Sequence, residues 1–140
     1  MSIREKQFVL FPLGKKRFAL PAETVTELAR PDQVQNFPHT SPLLAGVLVR
    51  RGRIVPVCDI APVLVGPNAP KRRFYLIATR QFGRVPEWTA VPVSGECELT
   101  KCEVVAPTGR LPHYVIGLLS LEDEIIEVVD LEKLANGEAA

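Results

Sequence analysis

The chain has 140 residues, 46% hydrophobic and 24% charged, which is enough for one compact domain and too apolar for a disordered chain. Its 17 basic and 16 acidic side chains give a formal net charge of +1, which taken alone argues against an electrostatically driven partner. That average hides a split: residues 1–84 hold 14 basic and 5 acidic side chains, residues 85–140 hold 3 and 11, so the two portions are +9 and −8. Thirteen prolines and nine glycines interrupt any long helix, because proline lacks an N–H donor and clashes with the preceding turn. Short strands and turns are expected instead. Met1 to Gln7 has no apolar core of signal-peptide length, and no apolar run approaches the roughly 18 residues of a membrane span, so a cytoplasmic location without membrane insertion is expected.

In chain order, apolar residues at 8, 10, 18 and 20 flank Gly14, Lys15 and Lys16, which predicts a hairpin over 8–20. Pro21, Ala22 and Glu23 allow one helical turn before alternation resumes over 25–28. Residues 30–42 carry three prolines and no period, a surface loop with a short strand at 34–37. Residues 46–60 read as a second hairpin: an apolar run at 47–49, then Arg50, Arg51, Gly52 and Arg53, then a β-branched run. Pro56 limits that strand's ladder and belongs at an edge or a bulge. Residues 66–73 form a polar connector between two parts of the chain, and 74–79 is a buried strand. Residues 84–93 contain Pro86 and Pro92 and receive no regular assignment. Residues 115–130 predict a third hairpin around Glu122, Asp123 and Glu124, followed by a helix over 131–136 that Gly137 stops.

An offset of 71 residues lays 46–63 over 117–134 and aligns Gly46 with Gly117, Ile54 with Ile125, Val57 with Val128 and Asp59 with Asp130. The shared order of apolar arm, polar turn, apolar arm and aspartate predicts an internal repeat and two similar β-rich lobes. The turns carry opposite charge, Arg50, Arg51 and Arg53 against Glu122 and Glu124.

Catalytic chemistry is sparse. His39 and His113 sit in proline-flanked loops without metal-ligand spacing, and Cys58, Cys97 and Cys102 are an odd number that reads as packed, reduced thiols, so neither a metal nor a cofactor is expected. Gly14 and Gly52 are isolated turn glycines and make no phosphate loop. Asp59 and Asp130 end strands, where a carboxylate accepts N–H bonds from the next turn. Three basic turns, at 15–17, 50–53 and 71–73, leave a small basic β-barrel that binds nucleic acid as a reading of a different class. Against it, stacking needs exposed aromatics, and the phenylalanines mostly occupy core-facing strand positions. No nucleic-acid partner is therefore expected.

The residues 8–14, Phe18 to Pro21, 25–28, and above all Gly46, Arg51, Gly52, Pro56, Asp59 and Ile60, together resemble the CheW coupling proteins of bacterial chemosensory systems. The resemblance is specific over 8–64 and looser over 74–134, where Ala90, Val91 and Pro92 stand in place of the family's Val-Asp pair. It implies an all-β fold of two five-stranded, SH3-like barrels on a shared core with short helices, and a single domain over 1–140. It further implies a non-catalytic adaptor that joins the regulatory domain of a CheA-type histidine kinase to the cytoplasmic tip of a methyl-accepting chemoreceptor. Such an adaptor is recruited to membrane-associated receptor arrays, where self-association is also expected. A degenerate relative that binds one partner, or that serves a non-flagellar array, is the alternative suggested by the altered 87–93 segment.

By the same resemblance Val25 and Glu27 fall on the kinase-facing surface, with core packing for Val25 and a solvated strand position for Glu27 as the plainer reading. Arg51 matches the arginine of the family's Arg-Gly turn. It either positions the groove between lobes, contacts the receptor tip, or ties the turn locally, while Gly52 supplies a positive backbone dihedral. The family's Asn-Leu before that arginine is Val49 and Arg50 here. Arg50, Arg53, Glu122 and Glu124 are charged turn residues suited to steering assembly.

Overall fold

The computed structural model describes residues 5–30, 44–67, 71–82, 85–106 and 109–135. The expected loop and strand within 30–42, His39 and Gly137 lie largely or wholly outside them. The first hairpin forms as β1 (Glu5–Leu13) and β2 (Lys16–Pro21), reversing at Gly14 with a positive φ of 71°. A 3₁₀ turn (Ala22–Thr24) leads into β3 (Val25–Ala29). The Arg-Gly turn joins β4 (Leu44–Arg50) to β5 (Arg53–Cys58), and α1 (Ala61–Val65) follows. The remaining elements are β6 (Phe74–Phe82), β7 (Val85–Val93), β8 (Glu98–Glu103), β9 (Val115–Leu121), β10 (Glu124–Val129) and α2 (Leu131–Ala135).

The 71-residue offset holds to the residue. It maps β4 and β5 onto β9 and β10 end for end, Arg51 and Gly52 onto Glu122 and Asp123, and buried Leu48 onto buried Leu119. All four turn residues have positive φ (52°, 74°, 47° and 67°), the requirement of a two-residue hairpin turn that matches strand twist. Asp59 and Asp130 likewise accept backbone N–H bonds from the helical turns that follow them, from Ala61 at 3.3 Å and Lys133 at 3.1 Å.

The two repeats do not each make a lobe. Lobe A is a five-stranded sheet in the order β8-β1-β2-β10-β9, and lobe B has the order β3-β6-β7-β5-β4. Each lobe therefore takes a hairpin from one repeat and three strands from the other. The exchange is made at two equivalent parallel pairings, Val128 with Ala19 and Val57 with Ala90, themselves 71 residues apart on both sides. The connector at 66–73 joins two parts of the same lobe, since β5 before it and β6 after it are both strands of lobe B.

Exchange buries the central strands on both faces. In β2, Ala19 faces lobe A's own core with Phe8, Leu10, Leu119, Ile126 and Val128, while Phe18 and Leu20 face a core shared with lobe B. β6 and β7 repeat the arrangement: Ile77 and Ala90 turn into lobe B, whereas Leu76, Ala78, Val91 and Val93 enter the shared core. Such strands read as unbroken apolar runs. The small residues Ala19 and Ala90 stand where the exchanged strands meet. Across the lobes, Ser94 after β7 donates from its N–H to the Pro12 carbonyl at 3.0 Å, and its hydroxyl accepts from the Gly14 N–H at 2.8 Å.

The segment that receives no assignment from sequence is a full strand, β7. Its prolines are tolerated because Pro86 and Pro92 have the opposite parity to Val93, whose carbonyl accepts the Arg73 N–H on the β6 side. Their missing N–H groups thus face away from the long β6 ladder. Pro56 is at neither the edge nor the bulge that the sequence suggests: β5 lies between β7 and β4, and the proline is accommodated where β5 pairs with β7 at a single position.

The acidic turn has no glycine where the basic turn has Gly52. Asp123→Gly removes a left-handed non-glycine residue and is expected to raise stability by about 0.5–1 kcal/mol. Chemical denaturation measures it, and a destabilised variant would contradict the equivalence of the two turns.

Candidate functional site

The β4–β5 hairpin end gathers most of the residues that sequence reasoning singles out. β3 carries a bulge between Val25 and Glu27, where Thr26 donates its hydroxyl to the Ile77 carbonyl at 2.9 Å. Val25 packs against the shared core, and Glu27 is aimed across to the hairpin. There it accepts two guanidiniums. Arg50 reaches its oxygens through Nε at 2.9 Å and Nη2 at 3.3 Å, and Arg51 through Nη2 at 3.1 Å and Nε at 3.5 Å. β3 and β4 are the two edges of lobe B, so this clasp ties the open edges together with side chains. In lobe A the corresponding edges meet through a backbone bridge between Val105 and Leu118, and Gly117 leaves room for Val104 there.

The electrostatics follow from the geometry. Bonds from Arg50, then Arg51, hold the Glu27 carboxyl down at about 2, against an ordinary value of 4.5. Arg51 sits at the left-handed first turn position, so its side chain leaves the hairpin at an angle an extended residue would not give. Arg53, opposite Arg50, lays its guanidinium over Trp88 of β7 at 4.6 Å from the ring centroid.

Beside the clasp stand the cross-strand partners Val49 and Ile54, 61% and 74% exposed. Sequence reasoning marks Val49 only as a departure from the family's turn and does not single out Ile54. Their signal is the strict alternation with buried Leu48 and Val55, which places both on the outer face. The equivalent pair in lobe A is Ser120 and Ile125, so the apolar pair is peculiar to lobe B.

The acidic turn behaves differently. Glu124 receives the Arg17 Nε at 3.0 Å, and Arg17 also reaches Glu98 at 3.4 Å, while Lys16 lies 3.8 Å from Glu127. Much of the charge polarity between the two portions is thus met inside lobe A, because the exchange lays basic β2 against acidic β10. Glu122 stays exposed at the turn. Arg72, from the third basic turn, pairs with Asp59.

A groove of ≈ 960 Å³ beside the 3₁₀ turn is lined by Phe8, Pro21, Val104, Ile116 and Val128 among others, and Pro21 and Ile116 also line a ≈ 280 Å³ pocket that reaches Thr79 of lobe B and Leu131. The two form a trough toward the lobe junction. Elsewhere, burial pushes the Cys97 thiol up to about 11, Cys58 is buried, and no metal-holding cluster of His, Cys, Asp or Glu occurs among the described residues. None of their helices is long and apolar enough to cross a membrane.

The CheW-like domain model matches residues 7–86, more than half of the chain. This chain belongs to the CheW-like domain family. It is 27% identical over 139 residues to the chemotaxis protein CheW of Klebsiella aerogenes, covering 95% of this chain and 83% of that one. It is 30% identical over 138 residues to protein FrzA of Myxococcus xanthus, covering 93% and 85%. The crystal structure of the scaffolding protein TtCheW from Thermoanaerobacter tengcongensis superposes with a TM-score of 0.78 at 20% identity, over 92% of this chain and 86% of that one. The two-lobe all-β fold is thereby the CheW fold. The family is one of non-enzymatic scaffolds, and this chain is a CheW-like chemosensory adaptor.

Glu27 is charged in the folded protein down to about pH 2 and would otherwise protonate near 4.5. Its depressed value contributes stability that is complete above pH 4.5 and is lost as pH falls toward 2. Glu27→Gln should lower stability at pH 7 and flatten the dependence between pH 5 and 2. Urea unfolding across that range checks it; an unchanged slope would contradict the clasp.

Proposed function

We propose that this CheW-like chain joins the regulatory domain of a CheA-type histidine kinase to the cytoplasmic tip of a methyl-accepting chemoreceptor, acting through binding free energy and without catalysis. The observation that carries the reading is the hairpin end of lobe B. An exposed apolar pair, Val49 and Ile54, lies beside a charged clasp and an arginine stacked on tryptophan. Interfaces draw affinity from apolar and aromatic anchors and draw orientation from charges at their rim. Glu27, assigned by resemblance to the kinase-facing surface, and Arg51, assigned to a receptor-facing or groove-positioning role, meet in one ion pair at this end of lobe B. A partner engaging Arg51 therefore acts on a carboxylate that also borders the other contact, which gives the adaptor a means of linking its partners.

The apolar trough toward the lobe junction suits one flank of a helical receptor tip, with Ile116 exposed along it. Arg53 and Glu122, exposed at the two hairpin ends, would steer approach, whereas Arg50 and Glu124 are tied to internal partners. The whole chain would act as one domain, recruited to membrane-associated arrays by its receptor contact.

In the altered segment that motivates a one-partner adaptor, residues 89–93 are interior, while Glu87 is exposed and Trp88 carries Arg53 at the hairpin end, so a one-partner adaptor stays the alternative. The nucleic-acid reading loses part of its basis, because Arg17, Arg50 and Arg72, one from each basic turn, each hold a carboxylate of this chain.

Val49→Asp with Ile54→Asp should cut affinity for at least one partner by more than about tenfold while leaving the fold intact, since both side chains are already in water. Arg51→Glu should weaken binding as well. Titration calorimetry against the kinase regulatory domain and a receptor tip fragment tests this, with circular dichroism as the folding control. Unchanged affinity for both in folded variants would remove the hairpin end as a partner surface.

A further inference from the structure

The two arginines on Glu27 are not equivalent. Arg50 is the last residue of strand β4, makes the shortest contact at 2.9 Å, and its side chain is 31% exposed. Arg51 belongs to the turn, and its side chain is 67% exposed. One guanidinium in a forked geometry already satisfies both oxygens of a carboxylate, so the second cation supplies charge the carboxylate does not need. Glu27, Arg50, Arg51 and Arg53 together carry a formal surplus of two positive charges, next to the exposed Val49 and Ile54.

We propose that Arg50 is the resident counter-ion of Glu27 and that Arg51 is exchangeable, leaving Glu27 to bind a partner protein's carboxylate while Arg50 keeps Glu27 paired. The inference rests on the reading of this hairpin end as partner-facing. The physical obstacle it removes is specific. With an apolar residue at position 50, moving the turn arginine to a partner would strand a largely covered carboxylate, and an unpaired charge of that kind weakens binding by as much as the new contact strengthens it. Arg50 holds both oxygens through the exchange, so the partner contact keeps its full strength. The lobe's β3 and β4 edges also stay clasped while Arg51 is away. The matching partner chemistry is an acidic side chain bordered by apolar residues, which would sit on Val49 and Ile54.

The test uses the full chain in four forms: wild type, Arg51→Gln, Arg50→Leu, and both together. Glu27 is titrated by side-chain NMR, and affinity is measured for a CheA-type kinase regulatory domain and for a receptor tip fragment. Arg51→Gln is expected to leave Glu27 titrating well below the ordinary carboxylate range yet weaken one partner roughly tenfold. Arg50→Leu is expected to keep Glu27 low, through Arg51, and also to weaken that partner several-fold, because Arg51 is then committed. The double variant should return Glu27 toward its ordinary value. Glu27 rising as far in Arg51→Gln as in the double variant would overturn the resident role of Arg50. Unchanged or tighter partner binding in a folded Arg50→Leu would overturn the exchange. A wild-type chain that binds neither domain overturns the partner reading and the exchange with it, while the Glu27 titration still decides which arginine is resident.

Discussion

The rest of the structure depends on two short parallel pairings, β2 with β10 and β5 with β7. Each joins strands from different copies of the internal repeat, so neither copy can bury its apolar residues without the other. Parallel neighbours cannot be linked by a tight turn: β3 to β9 lie between β2 and β10, and α1 and β6 lie between β5 and β7. One consequence is the shared core, where Phe11 and Phe18 of lobe A meet Leu76 and Val91 of lobe B. Close packing of that kind transmits displacement and resists it.

A second consequence concerns charge. The basic and acidic portions of the chain are brought face to face in lobe A, where Arg17 and Lys16 find Glu124 and Glu127. Exposed pairs of this type add little to stability individually. Their effect is to remove acidic charge from the outer surface of lobe A, while lobe B keeps three arginines at its hairpin end against one glutamate. The polarity that remains for a partner is therefore local and belongs to one hairpin.

Much of this was legible in the sequence. The hairpins announced themselves because alternation and turn residues agree, as in Leu48, Arg51, Gly52 and Val55, and the repeat emerged from Gly46, Asp59 and their counterparts. The exchange was not legible. Equivalence at 71 residues says that Val57 corresponds to Val128, but not that Val57 pairs with Ala90 of the other copy. β7 was obscured by Pro86 and Pro92, whose tolerance depends on which side of the strand the ladder lies. β8 escaped notice because an exposed edge strand of Glu, Lys and Cys has no apolar face to reveal it. At the site, Arg51 and Glu27 were legible singly through resemblance. Their contact was not, because it requires the bulge at β3 and the left-handed turn residue together.

Native-state hydrogen exchange on the full chain tests the central claim, that two exchanged repeats form one cooperative unit. With increasing denaturant, amides of β2 and β10 in lobe A and of β5 and β7 in lobe B should converge on a single opening free energy. The account is contradicted if amides of residues 5–65 converge on one free energy and those of residues 71–135 on another, since each repeat would then be folding on its own.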